Sequence, residues 1–151
     1  RRRGAGARQG RHLSADPAAM VRPALVTVPS RHSAAETLAR LEAALQAKGI
    51  TVFARIDHAA GAAQAGMSLR PTVLVVFGNP AAGTPLMQAD QRVGLDLPLK
   101  VLIWEDEAHK AWLSYRDPTW LETEYGLGGT RSSAVRGLST ALAALARAAT
   151  G

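Results

Sequence analysis

The chain has no cysteine. That absence removes disulfides, thiol nucleophiles, CxxC redox pairs, iron–sulfur clusters and cysteine-bound zinc in one step. It fits a reducing compartment, and the expected location is cytoplasmic. No apolar run approaches the roughly 20 residues that span a bilayer, so no membrane span is expected. A signal-peptide core is missing too. The four histidines, His12, His32, His58 and His109, are scattered, with no HxH or HExxH spacing, so no metal site is expected. GxxxxGK[ST], GxGxxG and GxSxG are all absent, which leaves no motif for a P-loop, a dinucleotide fold or a hydrolase elbow. No internal repeat is evident.

What is present is a chain of 151 residues, the usual size of one domain, with 47% apolar residues, enough for a core without staples. Its net charge of +6 resembles a nucleic-acid signal. The charge is unevenly placed, however. Residues 1–22 hold six arginines and one acid, Asp16, whereas the remainder holds 12 basic and 11 acidic side chains. The rest of the chain is therefore almost neutral. Residues 1–22 lack apolar periodicity and read as a disordered arginine-rich tail, and Met20 is a candidate true start. Nucleic acid or an anionic surface is an expected partner only through that tail.

The element signals come in a clear order. Ala24–Val28 is strand-like. Ser33-Ala34-Ala35-Glu36 is a capping box, followed by Leu38, Leu41 and Leu45 at helical spacing, and Gly49 is suited to a left-handed C-terminal position. Ile50–Asp57 alternates as a strand, with Ile50, Val52, Ala54 and Ile56 on one face. A short irregular helix follows from His58. Pro71–Phe77 is a continuous apolar run, which reads as a central strand buried on both faces. Thr84-Pro85 reads as a cap and first residue of a helix running to about Val93. Leu99–Asp106 and Ala111–Arg116 form a hairpin. Asp117-Pro118 opens a short helix that Gly126 closes. A last helix carries Val135, Leu138, Leu142 and Leu145 on one stripe. The order β-α-β-(α)-β-α-β-β-α-α predicts an α+β fold: a mixed, partly antiparallel sheet of about five strands with helices packed on it.

Six stretches in order carry a family resemblance: Arg55–Ala62 (RIDHAAGA), Leu69–Thr72 (LRPT), Phe77–Pro80 (FGNP), Gly83–Met87 (GTPLM), Leu97–Lys100 (LPLK) and Trp112–Pro118 (WLSYRDP). Over about residues 24–127 the chain resembles the bacterial family catalogued as domain of unknown function 302. The resemblance implies a compact α+β domain that associates as a homodimer; it implies no activity or cofactor. Residues 128–151 fall beyond it and read as a C-terminal helix extension of a domain over 23–127.

Four residues stand out as candidate ligand-binding groups: Asp57, His58, Asn79 and Lys100. All lie at element ends, where binding residues are commonly placed. Asp57 and His58 end a strand and could do acid–base work, which would make the protein an enzyme, or they could simply cap the next helix. Gly78-Asn79-Pro80 leads from a strand into a helix, where backbone N–H groups suit an anion. Lys100, Arg70 and Arg116 lie beside strand ends and could pair an acidic ligand. Trp104 shares a strand face with Lys100 and Leu102, and Trp112 shares one with Ser114 and Arg116. That half-polar aromatic face is a candidate ligand wall or dimer interface. The leading expectation is a domain that binds a small anionic molecule or self-associates as a homodimer.

Overall fold

The computed structural model describes residues 25–151. The expectations for residues 1–22 and Met20 lie outside the described residues. Five strands, β1 (Leu25–Pro29), β2 (Thr51–Asp57), β3 (Thr72–Gly78), β4 (Leu99–Glu105) and β5 (Ala111–Arg116), make one sheet in the order β1-β5-β4-β3-β2. Five helices join them: α1 (Ala34–Ala47), α2 (His58–Gln64), α3 (Pro80–Ala89), α4 (Trp120–Tyr125) and α5 (Ser132–Thr150). The fold is α+β with the expected element order. Every strand pairing is antiparallel, so the parallel component implied by a mixed sheet is not formed.

Local chemistry sets the helix boundaries. Ser33 caps α1, its side chain accepting from Glu36 N at 3.1 Å, and Gly49 takes φ +65 just past the end. α3 begins earlier than Thr84-Pro85 suggests. Asn79 is its cap and Pro80 its first residue, leaving Pro85 inside the helix. Both pairs fit the cap-then-proline pattern, and the first wins because the Asn79 side chain accepts from Ala81 N at 3.0 Å. Gly126, at φ +62, closes α4 as expected.

Helices α1 and α5 lie on one side of the sheet. Val75, Phe77, Val101, Ile103, Leu113 and Tyr115 point to that side and pack with Leu41 and Leu45 of α1 and Leu142, Leu145 and Ala149 of α5. Each fully buried side chain of this kind contributes about 1.5–3 kcal/mol. A second apolar cluster joins Leu86 of α3, Leu121 of α4, Val93, Leu127 and Val135 of α5. α5 therefore belongs to both clusters. Its stripe of Val135, Leu138, Leu142 and Leu145 is spent inside the packed unit, which continues past residue 127.

Among the described residues, no helix layer comparable to this covers the other side of the sheet. On β3, Val75 and Phe77 are buried while Leu74 and Val76 are half-buried, so the strand is not enclosed on both faces. A wholly antiparallel sheet permits this, because no βα crossover has to cover the second face. β2 is an edge strand, exposed along its whole length, with a bulge between Val52 and Ala54. The extra residue, Phe53, breaks the alternation expected for 50–57. Ala54 and Ile56 stand opposite Val76 and Leu74, whereas Val52 stands opposite Phe77.

Candidate functional site

The four sequence-predicted residues do not gather at one place. Asp57 stands opposite Val73 at the start of β3, and Asn79 follows the end of the same strand. Six residues of strand separate those levels, about 20 Å. In a parallel sheet the ends of β2 and β3 would meet; in this antiparallel one they lie at opposite edges. Lys100 stands opposite Val76, nearer to Asn79, but with Leu102 and Trp104 on the helix-free face.

Asp57 and Asn79 are both working caps. The Asp57 carboxylate accepts from Ala60 N at 2.9 Å and opens α2; both Asp57 and His58 are exposed. The start of α3 offers little to an anion. Pro80 has no N–H, Ala81 N is bound by Asn79, and Ala82 N and Gly83 N donate to Asn79 O at 2.9 and 3.1 Å. Among the described residues, no group of three or more His, Cys, Asp or Glu side chains is placed to hold a metal.

The helix-free face has a definite chemical layout. Its centre is apolar: Leu102 on β4, the middle strand, with Leu74 and Val76 beside it, and Ile56 and Leu25 outward at 43% and 64% exposure. Trp104 and Trp112 pair across β4 and β5 and stack, with centroids 5.9 Å apart. Both indole N–H groups are used. Trp104 donates to Ser114 Oγ at 2.9 Å, which also meets Thr27 Oγ1, and Trp112 donates to Asp106 Oδ2 at 2.8 Å. Lys110 Nζ lies 5.0 Å from the Trp112 centroid. The rings are thus locked on the sheet by their polar edges.

Charge divides this face by end. Continuing the β4–β5 register sets Lys100 opposite Arg116 at one end. Asp106 lies at the other, beside Lys110, whereas Glu105, opposite Ala111, falls on the helix side. Asp106 is held below the usual carboxylate range, first by the Trp112 hydrogen bond and then by Lys110 N. Lys100 and Arg116 line a cleft of about 320 Å³ together with Leu25, Asp96 and Trp120. Asp96 is engaged by the Tyr125 hydroxyl, which pushes the Tyr125 pKa up to about 12.

A separate groove runs on the helix side between α3, α5 and the end of α1. One part, about 420 Å³, is bounded by Lys48, Ile50, Asn79, Gly137, Leu138 and Ala141 among others. An adjoining part of about 290 Å³ reaches Phe53, Met87, Leu97 and Pro98, and the two share Gly78, Asn79, Ala82, Leu99 and Leu138. Of the four predicted residues, Asn79 lines this groove and Lys100 the 320 Å³ cleft; Asp57 and His58 line neither. Sequence reading passed over Lys48, Phe53 and Gly137. The available signal was Gly137, an isolated glycine inside a helical pattern.

An antiparallel sheet with helices packed on one side defines a compact α+β domain. The family model for "Domain of unknown function DUF302" matches residues 26–145, and the chain belongs to that family. The match runs well into α5, further than the resemblance read over 24–127. A crystal structure titled as an uncharacterized conserved protein DUF302 from Bacillus stearothermophilus is similar in fold, with a TM-score of 0.74 at 21% identity. The similarity covers 83% of this chain and 97% of that one. The chain is also 45% identical over 134 residues to proteins named Fluoride-specific ion channel FluC 1 from Brucella suis and Brucella abortus. That covers 89% of this chain but 53% and 50% of those proteins, so the chain spans about half the length of these curated relatives.

Proposed function

We propose that the domain is a self-associating module whose two copies pair through the sheet face centred on Leu102. The observation that carries this is the stacked, polar-locked Trp104–Trp112 pair on an apolar face without a helix layer. Five strands about 4.8 Å apart and some 20 Å long give roughly 500 Å² of projected face. With its side-chain relief and rim, that approaches the ~800 Å² per partner of a standard interface. The charge layout fits a second copy. A two-fold axis through Leu102, running across the strands, sets the Lys100–Arg116 end of one copy over the Asp106 end of the other. In polypeptides built like the Brucella relatives, such pairing would bring two longer chains together. We assign the channel function in those names to the part this chain does not match, because among the described residues no helix is long and apolar enough to cross a membrane.

The test is sedimentation equilibrium on the wild type and on Leu102→Lys, which puts a charge at the centre of the face. The reading expects a wild-type dimer and a folded monomeric variant. A wild type that stays monomeric throughout the concentration series, or a variant that dimerises equally well, overturns it. A second reading, binding of a small anionic molecule, is favoured by the 320 Å³ cleft that Lys100 and Arg116 line. It expects Lys100→Ala to weaken binding of a small dicarboxylate without changing the oligomeric state.

A further inference from the structure

The geometry points to the groove between α3 and α5 as a binding site for a small amphipathic acid, with an apolar body and a carboxylate head. The 420 Å³ part has the size of a ligand pocket, and its walls are apolar except for two side chains, Lys48 and Asn79. Both supply donors. Lys48 caps the end of α1, is exposed and borders this part of the groove. Asn79 spends its Oδ1 on Ala81 N, which leaves its amide NH₂ as the donor it can offer. No acidic residue lines either part of the groove. An otherwise apolar cleft with one cation and one amide donor is complementary to a single anionic head. A cation or a neutral polar ligand would find no such match.

Two features of the chain shape the groove independently. The β2 bulge adds Phe53, 51% exposed, to the wall of the adjoining part, and bulges commonly re-aim a side chain in this way. A Cβ at Gly78 would come within 3.2 Å of the Phe53 ring and 3.4 Å of Pro98, so glycine is what lets that ring sit close. Gly137 is different. It lies in the interior of α5, where glycine weakens a helix, and an added Cβ would meet nothing within 4 Å. Crowding does not demand it. Its lack of a side chain widens the groove beside Leu138 and Ala141. The carboxylate would sit between Lys48 and Asn79, and the apolar body would run toward Phe53, Met87 and Leu97.

The site is on the helix side of the sheet, so it stands or falls apart from pairing through the opposite face. The probe is decanoate, titrated calorimetrically into the full chain at neutral pH, with decanol as the uncharged control. Saturable binding is expected, at least tenfold tighter for decanoate than for decanol. Lys48→Gln should reduce decanoate affinity about tenfold and leave decanol unchanged. Gly137→Leu, which fills the groove from α5, should weaken both, and Gly137→Ala serves if the leucine variant is unstable. No saturable binding of either probe overturns the site. Equal binding of both probes together with an unaffected Lys48→Gln overturns the acid as its ligand.

Discussion

Gly137→Ala and Gly126→Ala change the same atoms and are expected to move stability in opposite directions. Gly137 has ordinary helical surroundings in α5, is exposed, and offers open space to a Cβ. Replacing it by alanine is worth about 1 kcal/mol of helix propensity. Gly126 ends α4 in the left-handed region at φ 62 and ψ 37, and its N–H donates to Glu122 O. Alanine there is strained by about 1–2 kcal/mol, partly offset by roughly 0.4–1 kcal/mol from a stiffer unfolded chain. A packed unit of this size has an unfolding entropy near 0.26 kcal/mol/K, so 1 kcal/mol corresponds to about 4 °C. Scanning calorimetry should therefore place Gly137→Ala about 4 °C above the wild type and Gly126→Ala below it, by up to about 6 °C. A neutral or destabilised Gly137→Ala would mean that its Cβ meets something, and the described shape of the groove beside α5 would be refuted.

Other outcomes follow from single contacts. Leu142→Ala removes a fully buried side chain shared by α5 and the sheet and should cost about 3–5 kcal/mol in chemical denaturation; a loss below 1 kcal/mol would contradict its place in the core. The Asp106 pKa is depressed in the folded state, so its contribution is present above the unfolded pKa and disappears as pH falls through the folded value. Asp106→Asn should flatten the acid limb of the stability profile, and an unchanged limb would contradict the Trp112 and Lys110 contacts. The Tyr125 hydroxyl, held by Asp96, should still be protonated at pH 11, read as tyrosinate absorbance, and Asp96→Asn should bring its titration back toward 10. Any affinity of the full chain for duplex DNA is expected to reside in residues 1–22, to fall steeply with salt and to vanish on their deletion; affinity retained by residues 25–151 would move it into the domain.

Much of the fold was legible because its signals are local. The Ser33–Glu36 box, the left-handed glycines at 49 and 126, and the stripe along α5 are each determined by neighbours in sequence. The aromatic face was legible too, since period two along β4 and β5 puts Trp104 with Leu102 and Trp112 with Ser114, and the hairpin joins them. What escaped depends on pairing. Alternation along 50–57 carries no mark of the extra residue at Phe53. Asn79-Pro80 and Thr84-Pro85 are equivalent as local signals, and only the Asn79 cap geometry separates them. A single site holding Asp57, His58, Asn79 and Lys100 would require neighbouring strands to run the same way. Once β2, β3 and β4 are antiparallel, successive strand ends must alternate between the two edges of the sheet.

The central claim, that two copies meet on the Leu102 face, is most directly tested by hydroxyl-radical footprinting of the full chain across a concentration series. Trp104 and Trp112 lie on that face and report its accessibility, while Met67, 69% exposed, is the reference for the radical dose. Pairing predicts that oxidation of both tryptophans falls as concentration rises while Met67 stays constant, and that Leu102→Lys abolishes the fall. Tryptophan oxidation that tracks Met67 at every concentration would contradict it.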